Sequence, residues 1–203
     1  MNLKKILGVD LPIIQAPMAG VQDSALAIAV SNAGGLGSLP CAMLGMDTLR
    51  EELRTIKAQT DRPYNVNFFC HEMPKTNQKA EMIWRNALSP FYKTQGIDPE
   101  TVAVGTNRVP FNSDGMFLSH DLNSQMGSFA LLPQIIQAVN VPVVAAGGIA
   151  NAKGVAAAIS MGAVGVQLGT TYLLCHEART SKVHRAALRS EVAKHTALTN
   201  IFT

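Results

Sequence analysis

Residues 141–171 read Val-Pro-Val-Val-Ala-Ala-Gly-Gly-Ile-Ala-Asn-Ala-Lys-Gly-Val-Ala-Ala-Ala-Ile-Ser-Met-Gly-Ala-Val-Gly-Val-Gln-Leu-Gly-Thr-Thr. The order is strand, glycine turn, helix, strand, glycine turn. Pro142 to Ala146 is a short apolar run, as expected of a strand buried on both faces. Gly147 and Gly148 allow a sharp turn and leave no side chain between the backbone and a ligand. Asn151 is placed to cap a helix whose apolar face includes Val155, Ala158 and Ile159, and Gly162 ends it. Val164 to Leu168 forms the next strand, closed by Gly169-Thr170. Two parallel strands joined by one helix put both glycine turns at the strands' carboxyl ends, where ligands bind in parallel α/β folds. Backbone N–H groups of Gly148 and Gly169-Thr170 can therefore converge on one anion, with phosphate the usual one.

The rest of the chain supports the same class. Leu11–Ala16, Leu36–Leu39 and Tyr64–Phe69 read as strands, giving five with 142–146 and 164–168. Between them, Asp23 or Ser24 caps a predicted helix through Ala33. A second, amphipathic helix spans Met46 to Thr60, with Leu49, Leu53 and Ile56 at helical spacing and Asp47 as its cap. The first third is thus βαβαβ. Residues 74–112 differ: a polar helix from Lys75 to Tyr92 carries the single tryptophan, Trp84, and a loop-like stretch follows. We read 74–112 as an insertion within one domain, 1–203, in a position where lids occur. Helices are expected again at Ser128–Val139 and at Thr180–Ser190, the latter basic with Val183, Ala187 and Leu188 inward.

Composition limits the function. Hydrophobic residues make up 47% and charged residues 15%, which suits a buried α/β core and excludes a disordered chain. The net charge of +3 comes from scattered basic residues, so there is no nucleic-acid footprint. Cys41, Cys70 and Cys175 are odd in number and lack metal-ligand spacing; free thiols, no metal site and a cytoplasmic location are expected. The apolar N-terminal run is broken by Asp10 and makes a poor signal peptide, and no run is long enough to span a bilayer.

Several segments occur together and in order: Pro12-Ile-Ile-Gln-Ala-Pro-Met-Ala-Gly20, Gly34-Gly-Leu-Gly-Ser38, Asn65-Val-Asn-Phe-Phe69, Ala145-Ala-Gly-Gly-Ile149, Gly165-Val-Gln-Leu-Gly-Thr170 and Thr196-Ala-Leu-Thr-Asn-Ile-Phe202. In this combination the chain resembles the nitronate monooxygenases, long called 2-nitropropane dioxygenases. The resemblance implies an FMN-dependent (β/α)8 TIM barrel that oxidises alkyl nitronates with O2. It implies that Gln15, Ala16, Pro17 and Met18 face the flavin and that Asn67 contacts it. Gly147 and Gly148, with Gln167, Leu168, Gly169 and Thr170, would hold its phosphate.

The chain departs from that pattern in two places. A full barrel has eight strands and typically about 250 residues, and five strands are legible here. Asn112-Ser113-Asp114-Gly115 joins segments that three further β/α units separate in the family, so this junction reads as an internal deletion. The family's catalytic histidine lies on the fourth strand, which is missing, and Ser113-Asp114 replaces a Gly-Gly-His turn. The usual C-terminal extension is also missing. No residue is assigned as catalytic; His71 is the first candidate for a substitute, His120 follows the junction, and His176, His184 and His195 are given no chemistry. Impaired nitronate oxidation is the leading expectation. The alternatives are an inactive fragment with weak or no flavin binding, and another FMN-dependent barrel oxidoreductase such as an enoyl reductase. An open sheet would also favour self-association through its edges.

Overall fold

A computed structural model describes residues 2–68, 78–94, 96–98, 101 and 126–195. His71, His120, Cys70, the junction at 112–115, most of the loop half of 74–112 and the 196–202 segment lie outside the described residues. The chain divides into two compact units, Met1–Phe69 with Ser119–Phe202, and Cys70–Leu118 with Thr203.

Among the described residues there are five strands, all in the first unit: β1 (Ile13–Gln15), β2 (Gly37–Pro40), β3 (Tyr64–Asn67), β4 (Val144–Ala146) and β5 (Gly165–Leu168). Every pairing is parallel. β4 pairs with β5 and β5 with β1, β2 pairs with β3, and a single parallel bridge, Ile14 to Leu36, links the two groups. The strand sequence β4-β5-β1-β2-β3 is that of a barrel with units removed between β3 and β4, as the sequence predicts.

Among the described residues, six α-helices belong to this unit: α1 (Leu3–Leu7), α2 (Ser24–Asn32), α3 (Met46–Gln59), α5 (Ser128–Ala138), α6 (Ala152–Ser160) and α7 (Lys182–Arg189). α4 (Gln78–Thr94) belongs to the other. Leu39 and Cys41 bury against α2 and α3 through Ala27, Ile28, Leu49 and Ile56. Ala145, Val166 and Leu168 bury against α5 and α6 through Leu132 and Ala158. Each fully buried Leu or Ile contributes about 1.5–3 kcal/mol. Leu3 plugs the opposite face among Ile14, Leu36, Val144 and Val164, and its N–H donates to Val164 at 3.3 Å. Gly165 lets Leu3 in close: a Cβ there would stand 2.8 Å from Leu3 Cδ2, so that side chain would have to shift.

Local chemistry corrects two expectations and adds one helix. Asp23 caps α2 and Asn151 caps α6 as predicted, but Gly45 stands at the N-cap of α3 and Asp47 lies inside its first turn, paired with Arg50 at 3.0 Å. Val183 is 82% exposed and Ala187 is exposed, so of the three residues expected to face inward on α7 only Leu188 is partly buried. The helix's anchor is Arg185, whose Nη2 donates to the carbonyls of Cys175 at 2.7 Å and Ala178 at 2.6 Å, and whose Nε donates to that of Thr180 at 3.2 Å. Guanidinium donors satisfy three carbonyls of the preceding loop, which outweighs burying one valine. Finally, α1 forms in a stretch whose apolar run alone did not announce a helix. Asn2 caps it and Gly8, at φ +71, ends it.

In the second unit, α4 runs through Pro90, and Thr94 Oγ1 donates to the Pro90 carbonyl at 2.6 Å. Trp84 is half exposed.

Candidate active site

The site is built where β1, β4 and β5 end. Beyond Gln15, the Ala16 N–H donates to the Leu168 carbonyl at 2.8 Å, which extends the β1–β5 pairing by one step. After β4 the chain turns at Gly147 (φ +92) and Gly148 (φ +70), both left-handed. A Cβ on Gly148 would meet no atom within 4 Å, so its backbone faces open space. After β5, Gly169 leads into a short 3-10 helix, Thr170–Leu174.

These ends enclose a cleft of about 760 Å3. Ala16, Gly147, Gly148, Gln167, Gly169 and Thr170 line it, with Leu174, Leu188 and Ala193 contributed by the chain after β5. Among the described residues, the N–H groups of Gly148 and Thr170 have no acceptor. No titratable side chain lines the cleft among the described residues, and His176, His184 and His195 are all exposed elsewhere.

The remaining site candidates are placed differently. Leu168 buries its side chain in the core and offers only its backbone. Met18 packs towards Leu26, Val30 and Ala178, with its Sδ 3.7 Å from the point a Gly169 Cβ would occupy. Pro17 is partly buried between them in sequence. Asn67 ends β3, where its carbonyl accepts from the Cys41 N–H at 2.8 Å. It shares a strand face with Asn65, whose Nδ2 donates to Ser38 Oγ at 3.2 Å. Gln15 does not line the cleft. It shares a face with Ile13, is 0% exposed, and its amide is committed to Gln22 and the Ser38 N–H.

Two contacts that sequence reading missed join the segments that follow β1 and β5. Arg179 pairs with Asp23 at 2.7 Å, and its N–H donates to the Val21 carbonyl at 2.6 Å, tying the segment after β5 to the loop after β1. Arg179 is largely exposed, so the ion pair itself adds at most about 1 kcal/mol. Burial raises the Cys41 thiol above its ordinary value, against a smaller lowering by the Asn67 backbone contact. Burial, with Cys175 nearby, also raises the Tyr172 phenol.

Comparison with known proteins identifies the family and the fold. The sequence profile of the nitronate monooxygenase family matches residues 1–98 and 114–203. A nitronate monooxygenase of Paraburkholderia phytofirmans is 31% identical, over 97% of this chain and 72% of the relative. That alignment runs over 265 positions against a chain of 203 residues, so the relative carries a long stretch with no counterpart here. Among solved structures, the nitroalkane oxidase of Streptomyces ansochromogenes superposes with a TM-score of 0.74 at 26% identity, covering 96% of this chain and 75% of that one. FabK of Thermotoga maritima, at 24% identity and a TM-score of 0.62 over 92% of this chain and 66% of that one, shares the fold. With the profile spanning both sides of residues 99–113 and nearly all of the remainder, the chain belongs to the nitronate monooxygenase family.

Proposed function

We propose that the cleft binds FMN and that the chain oxidises alkyl nitronates with O2, at a rate far below that of a family member with all its β/α units. The observation that carries the flavin reading is the convergence of Ala16, Gly147, Gly148, Gln167, Gly169 and Thr170 on one cleft. The residues fit the group. Two left-handed glycines leave the backbone bare, unpaired N–H groups suit a phosphate, and the lining carries no carboxylate to repel it. Gly147, Gly148, Gly169 and Thr170 would hold the phosphate, with Ala16 to Met18 and Asn67 nearer the ring. Bound there, FMN would supply the redox chemistry.

What the described residues supply is binding and exclusion of water; none of them is placed for proton transfer. A neutral nitroalkane must lose its α proton to a positioned base, and general-base catalysis is worth about 10²–10⁴-fold. No such group lines the cleft among the described residues. A preformed nitronate arrives deprotonated and needs none. Oxygen consumption with propane nitronate and with neutral 2-nitropropane, FMN in excess, tests this. Slow turnover of the nitronate with still slower turnover of the nitroalkane is expected. Turnover of 2-nitropropane comparable to that of a full-length homologue would refute it.

The second reading is an inactive homologue, favoured by β3 and β4, each of which pairs on one side only among the described residues. Val66 and Phe68 near one edge and Val141 near the other are 42%, 51% and 67% exposed. We propose that a second copy covers these edges; sedimentation showing only monomer at micromolar concentration would contradict that. No helix among the described residues is long and apolar enough to cross a membrane, and the free thiols Cys41 and Cys175 suit the cytoplasm we propose.

A further inference from the structure

We infer that Gln22 is a positioning residue for the cleft, holding the loop that follows β1 in the shape that brings Ala16 to the cleft and Met18 to Gly169. For its effect on ligand binding this inference rests on the flavin reading above.

β1 and β2 stay paired through one bridge only. The Leu36 N–H donates to the Ile13 carbonyl and the Gln15 N–H to the Leu36 carbonyl, both at 2.9 Å. The backbone of β1 then follows β5, through Ala16 and Leu168. Along β2, backbone groups alternate sides, so the next pair aimed at β1 belongs to Ser38, which is 0% exposed. With β1 gone, its N–H and carbonyl would be buried without partners, at a real cost.

Two side-chain amides take the place of the departed strand. The Ser38 N–H donates to Gln15 Oε1 at 2.8 Å. Gln22 Nε2 donates to the Ser38 carbonyl at 2.6 Å. Gln15 Nε2 closes the ring by donating to Gln22 Oε1 at 2.6 Å, and its second hydrogen goes to the Ala16 carbonyl. Gln15 and Gln22 are 0% and 7% exposed. Only one orientation of each amide satisfies this ring. Gln22 must both donate and accept, which a carboxylate cannot do.

The consequence reaches the cleft through the chain. Gln22 sits between the left-handed turn at Gly20 (φ +82) and the Asp23 cap of α2. Gln15 bonds the carbonyl of Ala16 directly. Anchored at both ends, the intervening loop presents Ala16 to the cleft, and its Cβ stands 3.6 Å from the point a Gly169 Cβ would occupy.

The test compares the parent with Gln22→Leu and Gln22→Glu, with Ile56→Ala as a control for general loss of stability, since Ile56 is fully buried on α3 in the cluster that holds Leu39 but makes no hydrogen bond in this ring. Amide hydrogen exchange of the ligand-free proteins is read in peptides covering 14–24. FMN titration gives Kd, and the visible spectrum is recorded at saturation. In Gln22→Leu, exchange in 14–24 should rise, Kd should rise roughly tenfold or more, and the bound spectrum should move towards that of free FMN. Ile56→Ala should show none of these three changes. Gln22→Glu should behave like Gln22→Leu at neutral pH and recover on acidification, when the protonated carboxyl can donate to Ser38. Unchanged exchange in 14–24, or a parental Kd and spectrum despite faster exchange, overturns the inference. If the parent itself fails to bind FMN, the flavin reading fails, and exchange in the ligand-free chain alone decides the role of Gln22.

Discussion

Gln15 and Ser38 are both wholly excluded from solvent, and the Ser38 N–H donates to Gln15 Oε1 at 2.8 Å across the gap where β1 and β2 part. The bond joins the strand that leads into the cleft to the half of the sheet that does not line it. Replacing Gln15 by Leu keeps the volume but strands the Ser38 N–H and Gln22 Oε1. We expect a loss of about 1–3 kcal/mol for each unsatisfied group, read as a lower urea midpoint. A midpoint unchanged from the parent would show that water or rearrangement satisfies them.

Gly37 marks the closest approach of a helix to the sheet. A Cβ there would stand 2.0 Å from the Ala27 carbonyl oxygen and 2.8 Å from its Cα, both backbone atoms of α2 that cannot swing aside. Gly37→Ala should therefore cost at least about 3 kcal/mol or prevent folding. Gly45→Ala, where a Cβ meets nothing within 4 Å, is the control and should change stability little. Equal melting temperatures for the two variants would contradict the packing of α2 on β2.

How much of this was legible in the sequence follows from which residues report locally. The five parallel strands and the turns at Gly147, Gly148 and Gly169 could be read because β-branched runs and paired glycines specify themselves within a few residues. The buried ring that Gln15 joins was not legible, because its partners on β2 and in the loop after β1 come together only in the tertiary fold. Its partner Gln22 lies on a loop, where no period signals burial. Asp47 looked like a cap because the preceding Gly45 carries no side chain to advertise the role. Arg185 defeated the apolar reading of α7, since the carbonyls it binds are brought together only by the tertiary fold.

Stability should fall in alkali, and the sign follows from burial. Folding raises the Cys41 thiol above its ordinary 9.0 and the Tyr172 phenol above its ordinary 10.0. A group raised on folding favours the native state below its unfolded pKa, and that stability is lost as pH rises through the folded value. The urea midpoint should thus drop from about pH 9 upward. Cys41→Ala should remove the earlier part of that drop and leave the part due to tyrosine. In the native protein at pH 8, Cys41 should resist alkylation until urea unfolds it. Rapid labelling of native Cys41 would show that it is not buried as described.

The most direct test of the central claim is titration of the ligand-free protein with FMN, followed by its visible spectrum, beside Gly148→Val. Saturable binding to the parent is predicted, with affinity for FMN sharply reduced in the variant. Gly148 has φ +70 with open space beyond, so a valine strains the turn and covers the N–H groups proposed for phosphate. Riboflavin, which lacks the phosphate, should bind parent and variant with more nearly equal affinity. No saturable binding of FMN to the parent, or equal FMN affinity in parent and variant, would contradict the account.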